Sequence, residues 1–196
     1  MSLAPPTLVL ASSSPYRAAL LERLGLPFET CAPHIDETPL PQEQPEELVA
    51  RLAEAKARAV GAEFPHALVI GSDQVAVLDR YILGKPGTHE RALQQLRAAS
   101  GREVIFYTGL CLFNTTTGEA KTTVEPFRVQ FRPLTEKQIE HYLQRERPYQ
   151  CAGSFQSEGL GIALFKRLQG DDPNTLIGLP LIRLTELLEQ ESYPVL

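Results

Sequence analysis

The chain has 196 residues, 43% of them hydrophobic and 22% charged, which is the make-up of a globular protein long enough to bury a sizeable core in one domain or two small lobes. Its formal net charge of −5 disfavours a partner gripped through a nucleic-acid phosphate backbone, while leaving a small anionic ligand open. Cys31, Cys111 and Cys151 are odd in number and far apart, which argues against a disulfide framework or a zinc site and fits a reducing compartment. No apolar run approaches the ~20 residues of a membrane span, and no basic region leads into a long apolar core near the N-terminus. The expectation is a soluble cytoplasmic protein that engages neither a nucleic-acid polymer nor a membrane.

In chain order, residues 8–11 read as a buried strand. Ser14 is placed to cap a helix with Pro15 at its first position and Gly25 at its close. Residues 27–32 have the pattern of a short strand, and "PHIDETPLPQEQPEE" reads as a loop. Pro45 opens a long helix to about Gly61, with Leu48, Leu52, Ala55 and Ala59 on one stripe. "HALVIGSDQVAVLD" is strand-like, and "DRYILGKPG" reads as a turn, a short strand and a loop. Thr88 caps a helix that ends at Gly101. Residues 103–113 and 120–131 form two strands joined by a hairpin at "NTTTGEA". Thr135 caps a helix to about Arg145, "CAGSFQSEGLG" is a glycine-bearing loop, and "IALFKRLQG" is a strand with its turn. Pro180 starts a final helix carrying Leu181, Leu184, Leu187 and Leu188. This order predicts a mixed α/β fold.

Three groups of residues carry chemistry. In "ASSSPYR", the N–H groups of a helix start favour anions; Ser12, Ser13 and Ser14 add hydroxyl donors and Arg17 a fixed fork for phosphate. A plain capped surface helix accounts for the same residues. Asp36 and Glu37 are adjacent in a loop, and Asp73 directly follows the apolar run "LVIGS". Carboxylates that converge can hold a hard divalent cation or orient a water, whereas a solvated loop accounts equally for Asp36 and Glu37. Lys56 falls on the apolar stripe of its helix, where its ammonium must find a partner or snorkel to solvent. Lys85 sits in "GKP", which is not a P-loop: no glycine stands five residues before Gly84, and Pro86 replaces the required Ser or Thr. The four histidines show no metal spacing, and no G-x-S-x-G elbow is present.

Taken in order, "ASSSPYR", "DE", "RLAEAKA", "IGSDQV", "GKP", "ASG", "YTG", "AGSFQSEG" and "GDDPNTLIGLPL" resemble the Maf family of nucleoside triphosphate pyrophosphatases over about residues 8–190. The resemblance implies a Maf/ITPase-like α/β fold, a curved mixed β-sheet flanked by helices, in a single domain over residues 1–196 whose two lobes enclose a nucleotide cleft. It implies hydrolysis of a small-molecule nucleotide between the α and β phosphates, with a divalent cation (Mg²⁺ or Mn²⁺) held by carboxylates drawn from Asp36, Glu37 and Asp73. Asp73 is then the general base or holds the metal. Ser12, Ser14, Arg17, Lys56 and Lys85 bind phosphate, and a homodimer is consistent with the family.

Within that family, Gln74 in "SDQ", Tyr16 before Arg17 and "SFQSEG" around Glu158 are similar to the branch that hydrolyses 7-methyl-GTP rather than the branch acting on dTTP and UTP. Methylation at N7 makes the guanine ring cationic, and the face of Tyr16 attracts a cation. Glu158 can accept from the N1–H and N2–H edge of guanine, and Gln74 can offer its amide to the base or to a neighbouring carboxylate. Losing one such charged partner weakens discrimination by roughly 1.5–3 kcal/mol. The rival readings are a dTTP/UTP pyrophosphatase, a nucleotide-binding cell-division regulator without catalysis, and a P-loop kinase.

Overall fold

Local capping defines most of the helices in the computed structural model, which describes residues 5–196; the first four residues, part of the N-terminal stretch considered for a leader, lie outside it. Strand β1 (Thr7–Ala11) leads into α1 (Pro15–Glu22), whose cap Ser14 accepts from the Arg17 backbone N–H at 3.4 Å. The helix stops three residues before Gly25, and the chain leaves through a turn in which Gly25 has φ +68°, a left-handed conformation natural to glycine. The strand expected over 27–32 is shorter, only β2 (Glu29–Thr30). Next come α2 (Pro45–Gly61), β3 (Ala67–Leu78), β4 (Tyr81–Leu83) and α3 (His89–Ala99), capped by Thr88. β5 (Glu103–Asn114) and β6 (Ala120–Phe131) follow. In α4 (Glu136–Glu146), Thr135 and Gln138 form a reciprocal capping box. The 151–164 stretch contains two short 3₁₀ turns, so β7 begins only at Phe165 (Phe165–Gln169). A single helical turn, α5 (Asn174–Ile177), precedes α6 (Leu181–Gln190).

The seven strands form one mixed sheet with the path β2-β1-β3-β5-β6-β7, and β4 adds to β3. β1 is parallel to both β2 and β3, while the β3–β4 and β6–β7 pairs are antiparallel. Two compact units divide the chain. One comprises Met1–Asp73, Thr108–Glu125 and Gly178–Leu196, the other Gln74–Tyr107 and Pro126–Ile177.

The first unit has a core of small and β-branched residues: Val9, Ala11, Ala53, Ala57, Val60 and Val69. Small side chains let helix and sheet approach closely, and two glycines complete the approach. A Cβ on Gly71 of β3 would stand 2.0 Å from the Ala53 carbonyl oxygen of α2, and one on Gly109 of β5 would stand 2.1 Å from the Val49 oxygen. The second unit is packed around aromatics. Phe155 meets Phe106, Phe131 and Phe165 edge-on, with ring centroids 5.3, 5.6 and 4.8 Å away. Among the described residues, no helix is long and apolar enough to cross a membrane, and all three cysteines are free thiols.

Candidate active site

Parallel pairing of β1 and β3 sets the position of the first constellation. The register matches Ala11 with Gly71; β1 ends there while β3 runs on. Ser72 and Asp73 therefore project past the carboxyl end of β1, the edge at which open α/β sheets receive ligands. Asp73, which directly follows the apolar run "LVIGS", lies inside β3, because "VAVL" continues the strand and pairs with β4 over residues 76–78.

The close approach of α2 over Gly71 carries Lys56 to this point. Lys56 is 6% exposed, and its Nζ donates to Asp73 Oδ1 at 2.6 Å and stands 3.1 Å from Glu37 Oε1. Of the two fates open to a lysine on an apolar stripe, it takes the partnered one. Burial pushes the Asp73 carboxyl above its ordinary pKa, against the opposing pull of Lys56 and Arg17. That is the direction expected of a carboxylate poised to take up a proton.

Arg17 joins the same group. Its Nε donates to the Gly178 carbonyl at 2.9 Å, and Ser72 Oγ donates to that same oxygen at 2.9 Å. A guanidinium has five N–H donors, and this bond uses one of them while locking the plane. Burial lowers the Arg17 pKa, opposed by the charges of Asp73 and Glu37. Gly178 has φ +121°, a backbone region that disfavours other residues. Ser12 is buried at 6% exposure; its hydroxyl oxygen accepts from the Ser14 N–H at 3.1 Å and shapes the turn into α1. Tyr16, on the first turn of α1, is 40% exposed.

The structure thus brings together Arg17, Glu37, Lys56 and Asp73 and adds Ser72 and Gly178, which the sequence reading did not single out. A lone glycine within "LVIGS" was the available signal for the Gly71 contact. Glu37 and Asp73 converge on a single Nζ, and an all-oxygen pair of this kind suits a hard cation such as Mg²⁺, which takes one or two carboxylates and completes its shell with water and substrate phosphates. Asp36 is held elsewhere: its Oδ1 accepts from the Thr38 N–H at 2.9 Å in an exposed turn. Among the described residues, no three His, Cys, Asp or Glu side chains cluster tightly enough to hold an ion by themselves.

The loop that bears Asp36 and Glu37 is clamped to α2 by Arg51. Its guanidinium grips Glu43 through two bonds, 2.6 and 2.8 Å, and also donates to the Thr38 carbonyl at 3.2 Å. The guanidinium holds the Glu43 carboxyl down at about 2. A carboxyl whose folded pKa is depressed contributes stability above its unfolded value, and that contribution is lost as pH falls through the folded value. Between pH about 4.5 and about 2, the melting temperature of the wild-type chain is expected to fall more steeply than that of Glu43→Gln. Parallel slopes in a pH series of thermal melts would show that the clamp does not contribute.

Gln74, Lys85 and Glu158 belong to the second unit. Gln74 Nε2 donates to the backbone oxygens of Thr175 at 2.7 Å and Leu176 at 3.3 Å, so its amide secures the α5 turn. Lys85 is exposed on the loop after β4. Glu158 is exposed, with Ser157 Oγ donating to its Oε2 at 3.2 Å.

A buried cation–carboxylate group at the carboxyl end of parallel strands, on a mixed sheet ordered in this way, agrees with the comparison to known sequences: the chain belongs to the Maf family, whose model, described as Maf-like protein, matches residues 7–191. Among curated relatives it is 82% identical to a 7-methyl-GTP pyrophosphatase of Nitrosococcus oceani, over all of this chain and 98% of the relative. It is 57% identical to the 7-methyl-GTP pyrophosphatase of Aliivibrio fischeri, covering 96% of this chain and 98% of that one. For the protein of the same name from Methylobacillus flagellatus the identity is 56%, covering 97% and 100%.

Proposed function

We propose that the chain hydrolyses 7-methyl-GTP to 7-methyl-GMP and pyrophosphate, clearing a modified nucleotide before it can be incorporated. The observation that carries the chemistry is the buried Lys56 between Asp73 and Glu37, with Arg17 beside them. The full-length similarity to proteins named for this substrate supports the choice of nucleotide.

In this reading Arg17, Lys56 and Lys85 offset charge on the triphosphate, and the hydroxyls of Ser12 and Ser14 donate to its oxygens. Binding of the phosphates draws the Lys56 ammonium off the carboxylates, which frees Asp73. Water attacks the α-phosphorus, the bond to the bridging oxygen breaks, pyrophosphate leaves, and Asp73 takes the water's proton. A divalent cation, Mg²⁺ or Mn²⁺, would be held by Glu37 with Asp36 next in the loop, and by Asp73 where Asp73 is not itself the base, and would supply charge neutralisation and a more acidic water. Tyr16 stacks on the cationic base, Glu158 accepts from its N1–H and N2–H edge, and Gln74 shapes the base site through the turn that it secures.

A panel of 7-methyl-GTP, GTP, dTTP and UTP, with products identified, tests this directly. Tyr16→Ala and Glu158→Ala are each expected to lower kcat/KM for 7-methyl-GTP by about 10–100-fold more than for UTP. Equal losses on every substrate would assign both residues to structure. Nucleoside diphosphate as product, or binding without pyrophosphate release, would overturn the hydrolysis itself.

A further inference from the structure

Two loops of the second unit carry residues that the proposed function uses, Lys85 in one and Glu158 in the other, and a single side chain joins them. Gln95 projects from α3. Its Nε2 donates to the Gly84 carbonyl at 3.0 Å, immediately before Lys85, and its Oε1 accepts from Ser154 Oγ. The Gly84 carbonyl can only accept, so it fixes the amide with Nε2 toward it and leaves Oε1 to accept from the Ser154 hydroxyl.

Ser154 is an unusual residue to find there. It is fully buried, and its φ of +65° follows a glycine at +74°, so two successive residues are left-handed. A non-glycine residue in that region is held there at a cost. The hydroxyl bond to Gln95 is what a glycine could not supply. From Ser154 the chain is pinned onward: Phe155 enters the aromatic core, Gln156 N–H donates to the Tyr142 hydroxyl at 3.1 Å, and Leu160 N–H donates to Glu146 Oε1 at 3.2 Å. Glu158 lies between the last two anchors. The Lys85 loop has a second anchor of its own, Gly87 N–H to the Tyr149 carbonyl at 2.9 Å.

We propose that Gln95 is a positioning residue that holds the Lys85 loop against the loop that carries Glu158, and so sets where Lys85 meets the phosphates. This rests on the role given above to Lys85. Gln95 itself touches no substrate; it acts by holding the Gly84 carbonyl, and with it the backbone of Lys85, at a set distance from Ser154.

The test is steady-state kinetics on 7-methyl-GTP with purified Gln95→Ala, Ser154→Gly, Lys85→Ala and the Lys85→Ala/Gln95→Ala double variant, each checked by thermal melting. Ser154→Gly suits the left-handed backbone, so it retains the fold while losing the hydroxyl. Gln95→Ala and Ser154→Gly are each expected to raise KM about tenfold with little change in kcat, the scale of one lost positioning hydrogen bond. Gln95→Ala is expected to add almost nothing once Lys85 is already alanine. A full further rise in KM on the Lys85→Ala background would overturn the proposal and make Gln95 a packing residue. So would a lowered melting temperature with KM unchanged. If Lys85→Ala alone leaves KM at the wild-type value, the phosphate role of Lys85 falls first, and the positioning role falls with it.

Discussion

Asp73→Asn is expected to lower turnover of 7-methyl-GTP by about 10²–10⁴-fold, the usual contribution of a positioned acid–base group. The substitution preserves size and an oxygen able to face Lys56, so the loss reports charge and basicity and not shape. It also leaves the Lys56 ammonium, 6% exposed, with Glu37 as its one remaining carboxylate in this cluster. Glu37 still compensates the ammonium, so the destabilisation stays below the roughly 3–5 kcal/mol of a buried ion left without a partner. Thermal melts of the variant should therefore shift downward, while circular dichroism at assay temperature still reports a folded chain. Wild-type turnover from a folded Asp73→Asn protein would remove Asp73 from the reaction.

The second large effect belongs to a residue with no side chain. Gly71→Ala puts a Cβ 2.0 Å from the Ala53 oxygen and 2.9 Å from the Ala57 nitrogen, both backbone atoms of α2. Neither can rotate away, so the helix must lift from the sheet. Overpacking of this kind costs about 1–3 kcal/mol, which for a chain of this size lowers Tm by about 2–12 °C. Lys56 lies between Ala53 and Ala57 in sequence, so lifting the helix also lengthens its 2.6 Å contact with Asp73. Turnover should fall along with stability, and calorimetry paired with the 7-methyl-GTP assay reads both. An unchanged Tm would mean that α2 adapts freely and that the close approach is not required.

Much of the fold was legible in local sequence because its causes are local. Ser14, Thr88 and Thr135 cap helices within three residues of themselves, and Pro15 and Pro45 stand at helix starts. The alternating and β-branched runs at 67–78, 103–114 and 120–131 are strands by composition. Boundaries went astray where a neighbour decides them. β2 has two residues because only those pair with β1, and β7 starts at Phe165 because a 3₁₀ turn occupies the residues before it.

The candidate site divides in the same way. By itself the sequence determined the order of the motifs, the membership in the Maf family that this order signals, and the residue types available for phosphate and base. Which groups meet was decided by the tertiary structure. Lys56 finds Asp73 across 17 residues, Arg17 finds the Gly178 carbonyl across 161, and Gln95 finds Ser154 across 59. Nothing in the local pattern distinguishes a lysine that will reach solvent from one that will be buried against two carboxylates. That outcome depends on Gly71 and Gly109, which admit α2 so close to the sheet that a charge on its inner face is largely buried and takes its partners from the protein.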